Sequence, residues 1–455
     1  MAGAKLKLPA QISSNMVLQQ QTKVCLWGEA IPNATVTITT SWSAPATAKA
    51  DADGKWTASI ETLEASFKEQ NLLISDGDSE VRLKNVLIGE VWFCSGQSNM
   101  EMPLNGFGGC PILNANNLIA DAPNHVIHMA TIEKKAALTP QPYANGEWKT
   151  ATPDNAQWFS ATAYNFALAL QRTLHVPIGI INCSWGGSHV EGWLPKEILQ
   201  GYSDIDISKA GSKQGLEYDQ PMIMYNGMLA ALTNYTVKGF TWYQGEGNVG
   251  HADTYAERLA TMVKLWRSLW GLGDLPFYYV EIAPYRYDND NQKLSGALLR
   301  EAQFKAQALI PNSAMITTND LVKPFEATQI HPANKTDVGE RLAYQALNKT
   351  YGIKGIEADG PIYQKMEVKG NAIEVTFSNA SSGFSPWLGI EGFEIAGADK
   401  VFHPARARLG RGVIVVSSEE VPAPVAVRYC FRNFQIGNLT GARNLPVIPF
   451  RTDTW

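Results

Sequence analysis

Hydrophobic and polar positions change rhythm twice along this chain. Up to about residue 85 they alternate with period two, as in Ala34-Thr-Val36-Thr-Ile38-Thr-Thr40. That is the pattern of a half-buried strand, whose successive side chains point to opposite faces. Asp51-Ala-Asp-Gly54 reads as a turn feeding another short strand. No helical pattern precedes Ser98. From about 86 to 355 the apolar residues form continuous runs at Val86–Cys94, Ile178–Cys183, Val237–Tyr243, Phe277–Ala283 and Ala314–Thr318, which suits strands covered on both faces. Helical patterns lie between them. Tyr255–Trp270 sets Leu259, Met262, Val263, Trp266, Leu269 and Trp270 on one stripe, and Thr162–Leu174, Leu298–Leu309 and Lys335–Leu347 are similar. Beyond 356 the chain returns to β, with a hairpin expected to turn at Gly370-Asn371. Strands alternating with helices predict βαβ units and a parallel sheet. The expected architecture is therefore a doubly wound, mostly parallel α/β part at 86–355, flanked by an N-terminal β domain at 1–85 and a C-terminal β region at 356–455.

The length of 455 residues fits two or three domains. The composition is that of a globular protein, with 45% hydrophobic and 18% charged residues. Thirteen Trp and 16 Tyr supply flat side chains of the kind sugar clefts use, although most are expected in the core. A net charge of −5 without a basic run argues against nucleic acid. No stretch reaches the roughly 18 apolar residues of a membrane span. Five cysteines without metal-ligand spacing argue against a disulfide framework, and Cys94 and Cys183 fall inside core strands. The opening Met-Ala-Gly-Ala-Lys-Leu-Lys-Leu-Pro lacks the apolar stretch of a secretory leader. A chain already trimmed of its leader reads the same, so extracellular, periplasmic and cytoplasmic locations stay open.

Four polar or glycine-rich motifs fall where the expected parallel strands end: Gly96-Gln-Ser98-Asn-Met, Ser184-Trp-Gly-Gly-Ser-His189, Gln244-Gly-Glu246-Gly-Asn248, and Ile330-His331-Pro with the downstream Lys335. Open α/β sheets build their sites at that edge. A serine hydroxyl needs a base, and of the seven histidines His331 is best placed to serve Ser98. His189 is a possible second group near the cleft, and His403 is set aside because it lies in the C-terminal β region. Acyl transfer also needs donors for an oxyanion. The N–H groups at Ser98 and Gly187 suit that role, with the amide side chain of Gln244 or Asn248 as a further source. Glu246 reads as part of a structural hydrogen-bonding cluster.

These residues resemble the sialate O-acetylesterase family of SGNH hydrolases. The likeness starts at Leu8-Pro-Ala-Gln-Ile-Ser-Ser-Asn-Met-Val-Leu-Gln-Gln and runs through Gly89–Met102, Val176–Gly187, Trp242–Asn248, Pro276–Pro284 and Ile330–Ala343. It closes with Val427-Arg-Tyr-Cys-Phe and Leu445-Pro-Val-Ile-Pro-Phe-Arg-Thr-Asp. The resemblance implies a flavodoxin-like SGNH fold and a serine esterase that removes O-acetyl groups from sugars without metal or cofactor. It implies Ser98 as nucleophile and His331 as general base and acid. Ser98, Gly187 and Gln244 would line the oxyanion hole, with Asn248 as the alternative to Gln244. Acetylated sialic acid is the implied substrate. Acetylated xylan or another polysaccharide is the alternative, and a non-catalytic carbohydrate-binding protein is the reading from another class.

One departure touches the mechanism. The family pattern commonly carries an Asp just before Ile-His-Pro, where this chain has Gln329, and other SGNH enzymes carry one three residues before the histidine, where it has Thr328. Three readings follow: the Gln329 backbone orients a Ser–His dyad, a carboxylate such as Glu326 or Asp320 substitutes, or catalysis is weakened.

Overall fold

A computed structural model describes residues 6–287, 290 and 293–455; the first five residues of the opening segment lie outside them. The architecture is organised by one strand, β1 (Glu80–Gly96), 17 residues long. Its first part pairs antiparallel with Ser66–Ser75 of the N-terminal β region, and Val17–Gln19 runs parallel to its middle. Burial alternates over its first residues, and then every residue from Val86 to Gly96 is buried. The continuous apolar run records the point at which the strand enters a sheet covered on both sides. The expected boundary at 85/86 thus falls inside a single strand, and the two flanking units share its backbone hydrogen bonds.

The main sheet adds β2 (Ile127–Thr131), β3 (Trp148–Thr150), β4 (Ile178–Ser184), β5 (Gly239–Tyr243), β6 (Phe277–Val280) and β7 (Ser313–Ile316). They lie in the order β7-β6-β5-β1-β4-β2-β3. Neighbours are parallel except at the edge, where β3 is antiparallel to β2. The hydrophobic pattern does not reveal β2 and β3. His128 interrupts the apolar run of β2, and it is buried because its Nδ1–H donates to the Asn15 carbonyl at 2.7 Å. β3 has only three residues, too few for a period to register.

Five helices concern the site: α1 (Ser98–Glu101), α2 (Ala161–Leu174), α3 (Ala252–Trp270), α4 (Ser295–Ala306) and α5 (Thr336–Gln345). Each of the last four overlaps the helix expected from periodicity. Val91 and Phe93 join the core formed with α3 and α4, whereas Trp92 and Cys94 join the core formed with α2 and α5. Alternate residues of one strand therefore feed two cores, as the pleat requires. On the α3 side Trp266 meets Phe93, Phe240 and Trp242 edge-on, each at a centroid separation of 5.6 Å. Much of the aromatic content is core of this kind.

The C-terminal part comprises two four-stranded antiparallel sheets and a two-stranded one around their own core. The expected hairpin is present: Ile362–Lys369 pairs with Ala372–Ser378, and the chain turns at Gly370-Asn371. This part docks on α4. The buried Arg300 guanidinium donates to the carbonyls of Cys430 and Arg432, at 3.3 and 2.5 Å, and Glu301 receives both nitrogens of the Arg451 fork at 3.0 Å.

Trp266→Ala removes the hub of the α3 core and should cost about 3–5 kcal/mol. Phe67→Ala, at a side chain 49% exposed, should stay within about 0.5 kcal/mol. Urea unfolding midpoints of the two variants check the contrast.

Candidate active site

The register of the central strands sets Gly96 beside Ser184 of β4 and beside Tyr243 of β5. Three strands therefore end level, and their loops leave the sheet together. Gly96 has φ +146°, and a Cβ there would collide with the Tyr243 carbonyl oxygen, so only glycine turns the chain at this point. Gln97 then ties the loops to one another. Its N–H donates to the Tyr243 carbonyl at 2.9 Å, and its Oε1 accepts from the N–H groups of Gly245 and Gly247, both at 3.1 Å.

Ser98 is half-buried and opens α1. Gly186 of the second loop abuts it: a Cβ on Gly186 would lie 3.2 Å from the Ser98 Cβ. Gly187 has φ +79°, and a Cβ there would stand 2.6 Å from the Tyr218 ring. Among the described residues the N–H groups of Ser98 and Gly187 have no protein acceptor. The Gly186 N–H, by contrast, donates to Glu101 Oε2 at 2.5 Å, and Lys134 pairs with Glu101 at 2.6 Å.

Asn99 joins this edge to the histidine loop. Its Nδ2 donates to Glu246 Oε1 at 2.6 Å and to the Ile330 carbonyl at 3.0 Å. The residue after Ser98 thus grips the residue before His331. The imidazole stands edge-on to Phe107, with centroids 5.2 Å apart. Its Nδ1 lies 3.9 Å from Cys110 Sγ. Its Nε2 is buried and makes no hydrogen bond, to Ser98 Oγ or any other group, among the described residues. Burial, and then the Lys335 cation, push His331 down to about 4. Lys335 is itself buried, donates from Nζ to the Pro332 carbonyl at 2.6 Å, and is pushed down to about 8 by burial against the pull of Glu246. Burial also raises Glu246.

The side-chain amides expected as open oxyanion donors are otherwise engaged. Gln244 is fully buried; its Nε2 donates to the Ser188 carbonyl at 2.9 Å and to Asn248 Oδ1 at 2.7 Å, and its Oε1 accepts from the Tyr255 hydroxyl at 2.8 Å. Asn248 Oδ1 also accepts from the Val190 N–H, and its Nδ2 donates to Glu191, which is paired with the buried Arg258. Buried amides must satisfy their own bonding capacity. Here they do so by bracing the turn from Gly187 to Val190.

The carboxylates expected as acid partners also have partners of their own. Glu326 accepts the N–H groups of Lys323 and Ala333, at 2.8 and 2.9 Å, and so closes its own loop. Asp320 is bound by both nitrogens of the Arg341 fork, at 2.8 and 2.6 Å. Thr328 is exposed. Gln329 does reach the histidine loop, but through its side chain: Oε1 accepts from Cys110 Sγ at 3.1 Å and lies 3.4 Å from the His331 backbone nitrogen. Asn99, Phe107 and Cys110 escape sequence reading because only folding brings them to His331. Glu246 and Lys335 stand out in the sequence, but their mutual attraction does not.

Two cavities adjoin the site. One, of about 570 Å³, is lined by His189, Asp204, Asp206, Lys209, Asp219 and His251 among others, with His189 Nε2 3.6 Å from Asp219 Oδ1. The other, of about 490 Å³, lies against His331 and is walled by Pro111, Leu113, Leu321 and Phe325. His403 lies in the C-terminal sheets and pairs with Glu420 at 2.9 Å. Among the described residues no group of His, Cys, Asp and Glu is arranged to hold a metal ion, and no helix is long and apolar enough to cross a membrane.

A family model described as carbohydrate esterase, sialic acid-specific acetylesterase, matches residues 88–348. The chain is 27% identical to human sialate O-acetylesterase over 409 residues, which covers 81% of this chain and 75% of the human protein. It is 25% identical to the mouse sialate O-acetylesterase over 428 residues, covering 81% of this chain and 77% of that protein. Among solved structures, a carbohydrate acetylesterase from Xanthomonas citri superposes with a TM-score of 0.87 at 35% identity, covering 99% of this chain and 100% of the other.

Gly96→Ala tests the geometry on which the site is built. The left-handed φ alone should cost about 1–3 kcal/mol, and the clash with Tyr243 should add to it. A melting temperature equal to that of the parent would contradict the geometry.

Proposed function

Since this chain belongs to the sialic acid-specific acetylesterase family of carbohydrate esterases, and is a carboxylic ester hydrolase, we propose that it removes O-acetyl groups from acetylated sialic acid through an acetyl-enzyme on Ser98. On this reading 86–355 is an SGNH hydrolase catalytic domain, flanked by an N-terminal β domain at 1–85 and a C-terminal β region at 356–455. The observation that carries the reading is the double hydrogen bond of Asn99, which draws the Ser98 turn and the His331 loop to the same sheet edge.

His331 Nε2 takes the proton of Ser98 Oγ as the oxygen attacks the acetyl carbonyl. The N–H groups of Ser98 and Gly187, free of protein acceptors among the described residues, receive the developing oxyanion. The imidazolium then protonates the departing sugar oxygen. In the second half a water gives its proton to the same Nε2 and attacks the acetyl group, and Ser98 leaves with the proton. Gln244 and Asn248 contribute indirectly by holding the turn that carries Gly187. With Glu326 and Asp320 committed elsewhere, the base works without a paired carboxylate.

A second reading concerns the sugar. Asp204, Asp206, Asp219 and Glu191 line the larger cavity, and Arg258 there is already bound to Glu191 and Asp204. Four carboxylates against the two cations Lys209 and Arg258 disfavour a sialic acid carboxylate in that cavity, whereas a neutral acetylated polysaccharide such as xylan meets no such cost.

Ser98→Ala should lower acetate release from 4-nitrophenyl acetate by a factor of about 10³ or more; parental activity would refute the nucleophile. Because His331 must be neutral to act, kcat/KM should hold down to about pH 4 and then fall about tenfold per pH unit. The unfolded chain takes up this proton first, near its ordinary value of about 6.5, so the same group removes stability as the pH drops from about 6.5 toward 4. Acetate release from acetylated sialic acid against acetylated xylan decides the substrate. A higher kcat/KM on sialic acid supports the first reading; a higher value on xylan, with a sialic acid rate that improves with added salt as repulsion is screened, supports the second.

A further inference from the structure

His331 turns one ring nitrogen inward and the other toward a thiol. Cys110 Sγ lies 3.9 Å from Nδ1 and gives its own hydrogen to Gln329 Oε1 at 3.1 Å. The thiol sits on a closed turn: the N–H of Phe107 donates to the Cys110 carbonyl at 3.1 Å, and the N–H of Cys110 donates back to Phe107 at 2.9 Å. Gly106 makes that turn possible, since its φ is +76° and a Cβ would strike the Cys110 carbonyl. The same turn carries the Phe107 ring that stands edge-on to the imidazole. The nearby carboxylates are engaged, Glu326 with two backbone N–H groups and Asp320 with Arg341. Glu246 is held by Asn99 on the serine side.

We propose that Cys110, backed by Gln329, is the positioning group for His331, occupying the place that a carboxylate fills in a Ser–His–Asp triad. The proposal rests on the Ser98–His331 reading above. The sulfur accepts the Nδ1–H, which keeps that nitrogen protonated and leaves the lone pair on Nε2, the buried atom without a partner among the described residues. The relay runs from imidazole N–H to sulfur, and from S–H to the Gln329 carbonyl oxygen. No proton leaves it during turnover.

A thiol orients the ring without supplying a counter-charge, since its sulfur is a weak, uncharged acceptor. The groups facing the imidazole are the Phe107 edge, the Cys110 thiol, the Gln329 amide and the Lys335 cation; Glu246 and Glu326 act on Lys335. No anion among them steadies an imidazolium, which agrees with the depressed value of His331. A carboxylate at position 110 adds that anion.

The test compares Cys110→Ala, Cys110→Ser and Cys110→Asp with the parent and with Ser98→Ala, reading kcat, KM and the pH–rate profile on 4-nitrophenyl acetate. Cys110→Ala should lose about five- to tenfold in kcat, the worth of one neutral hydrogen bond, with KM within about twofold of the parent. Cys110→Ser should recover part of that loss, because its hydroxyl can accept and donate in turn. Cys110→Asp should move the acidic limb of the profile up by about one pH unit or more. Melting temperatures separate misfolding from lost orientation, and the Asp variant reads the limb even where the Ala variant is unstable. Parental kcat in a folded Cys110→Ala, or an unmoved limb in a folded Cys110→Asp, would overturn the proposal. Parental activity in Ser98→Ala would instead remove the serine–histidine reading beneath it.

Discussion

The hydrogen-bonded register of three parallel strands governs this molecule. β4, β1 and β5 pair so that Ser184, Gly96 and Tyr243 stand level. A shift of one residue on either side of β1 would turn alternate side chains to the wrong face, and it would also move the glycine loop away from Ser98. The two cores fix the register: Val91 and Phe93 cannot leave the α3 side, nor Trp92 and Cys94 the α2 side, without exposing large apolar surface. Core packing and site geometry are thus one constraint.

Beyond the sheet edge the site is assembled from buried amides. Gln97 sews the serine turn to the third loop, Asn99 sews it to the histidine loop, and Gln244 with Asn248 braces the glycine turn. Each amide offers donors and an acceptor in fixed geometry, and burial makes every unmade bond costly. Such a network holds loops rigidly without adding charge. That matters here, because a net charge beside the imidazole would change the base it is meant to position. Of the charged groups nearby, the Lys335 cation lowers His331, while Glu246 and Glu326 both act on Lys335.

The two cavities give the site an asymmetric surrounding. The side of the glycine turn opens on carboxylates and histidines, while the side of His331 opens on Pro111, Leu113, Leu321 and Phe325. A sugar hydroxyl needs hydrogen-bonding partners, and the first side supplies them.

Periodicity and composition alone determined the strand–helix alternation, the hairpin at Gly370-Asn371 and the four motifs at strand ends, because these depend on residues close in the chain. The motifs at those strand ends named Ser98, His331, Gly187 and the amides Gln244 and Asn248 as candidates. The short edge strands stayed hidden, since a buried histidine breaks the pattern of one and three residues are too few to show a period in the other. Only tertiary structure decided what meets the imidazole. Cys110 and Gln329 are 219 positions apart, and no local rule links them. Likewise Gln244 and Asn248 read as open donors until the fold surrounded them with Ser188, Val190, Glu191 and Tyr255. Local pattern fixes which residues can do chemistry; the partner that consumes or frees each polar atom arrives from elsewhere in the chain.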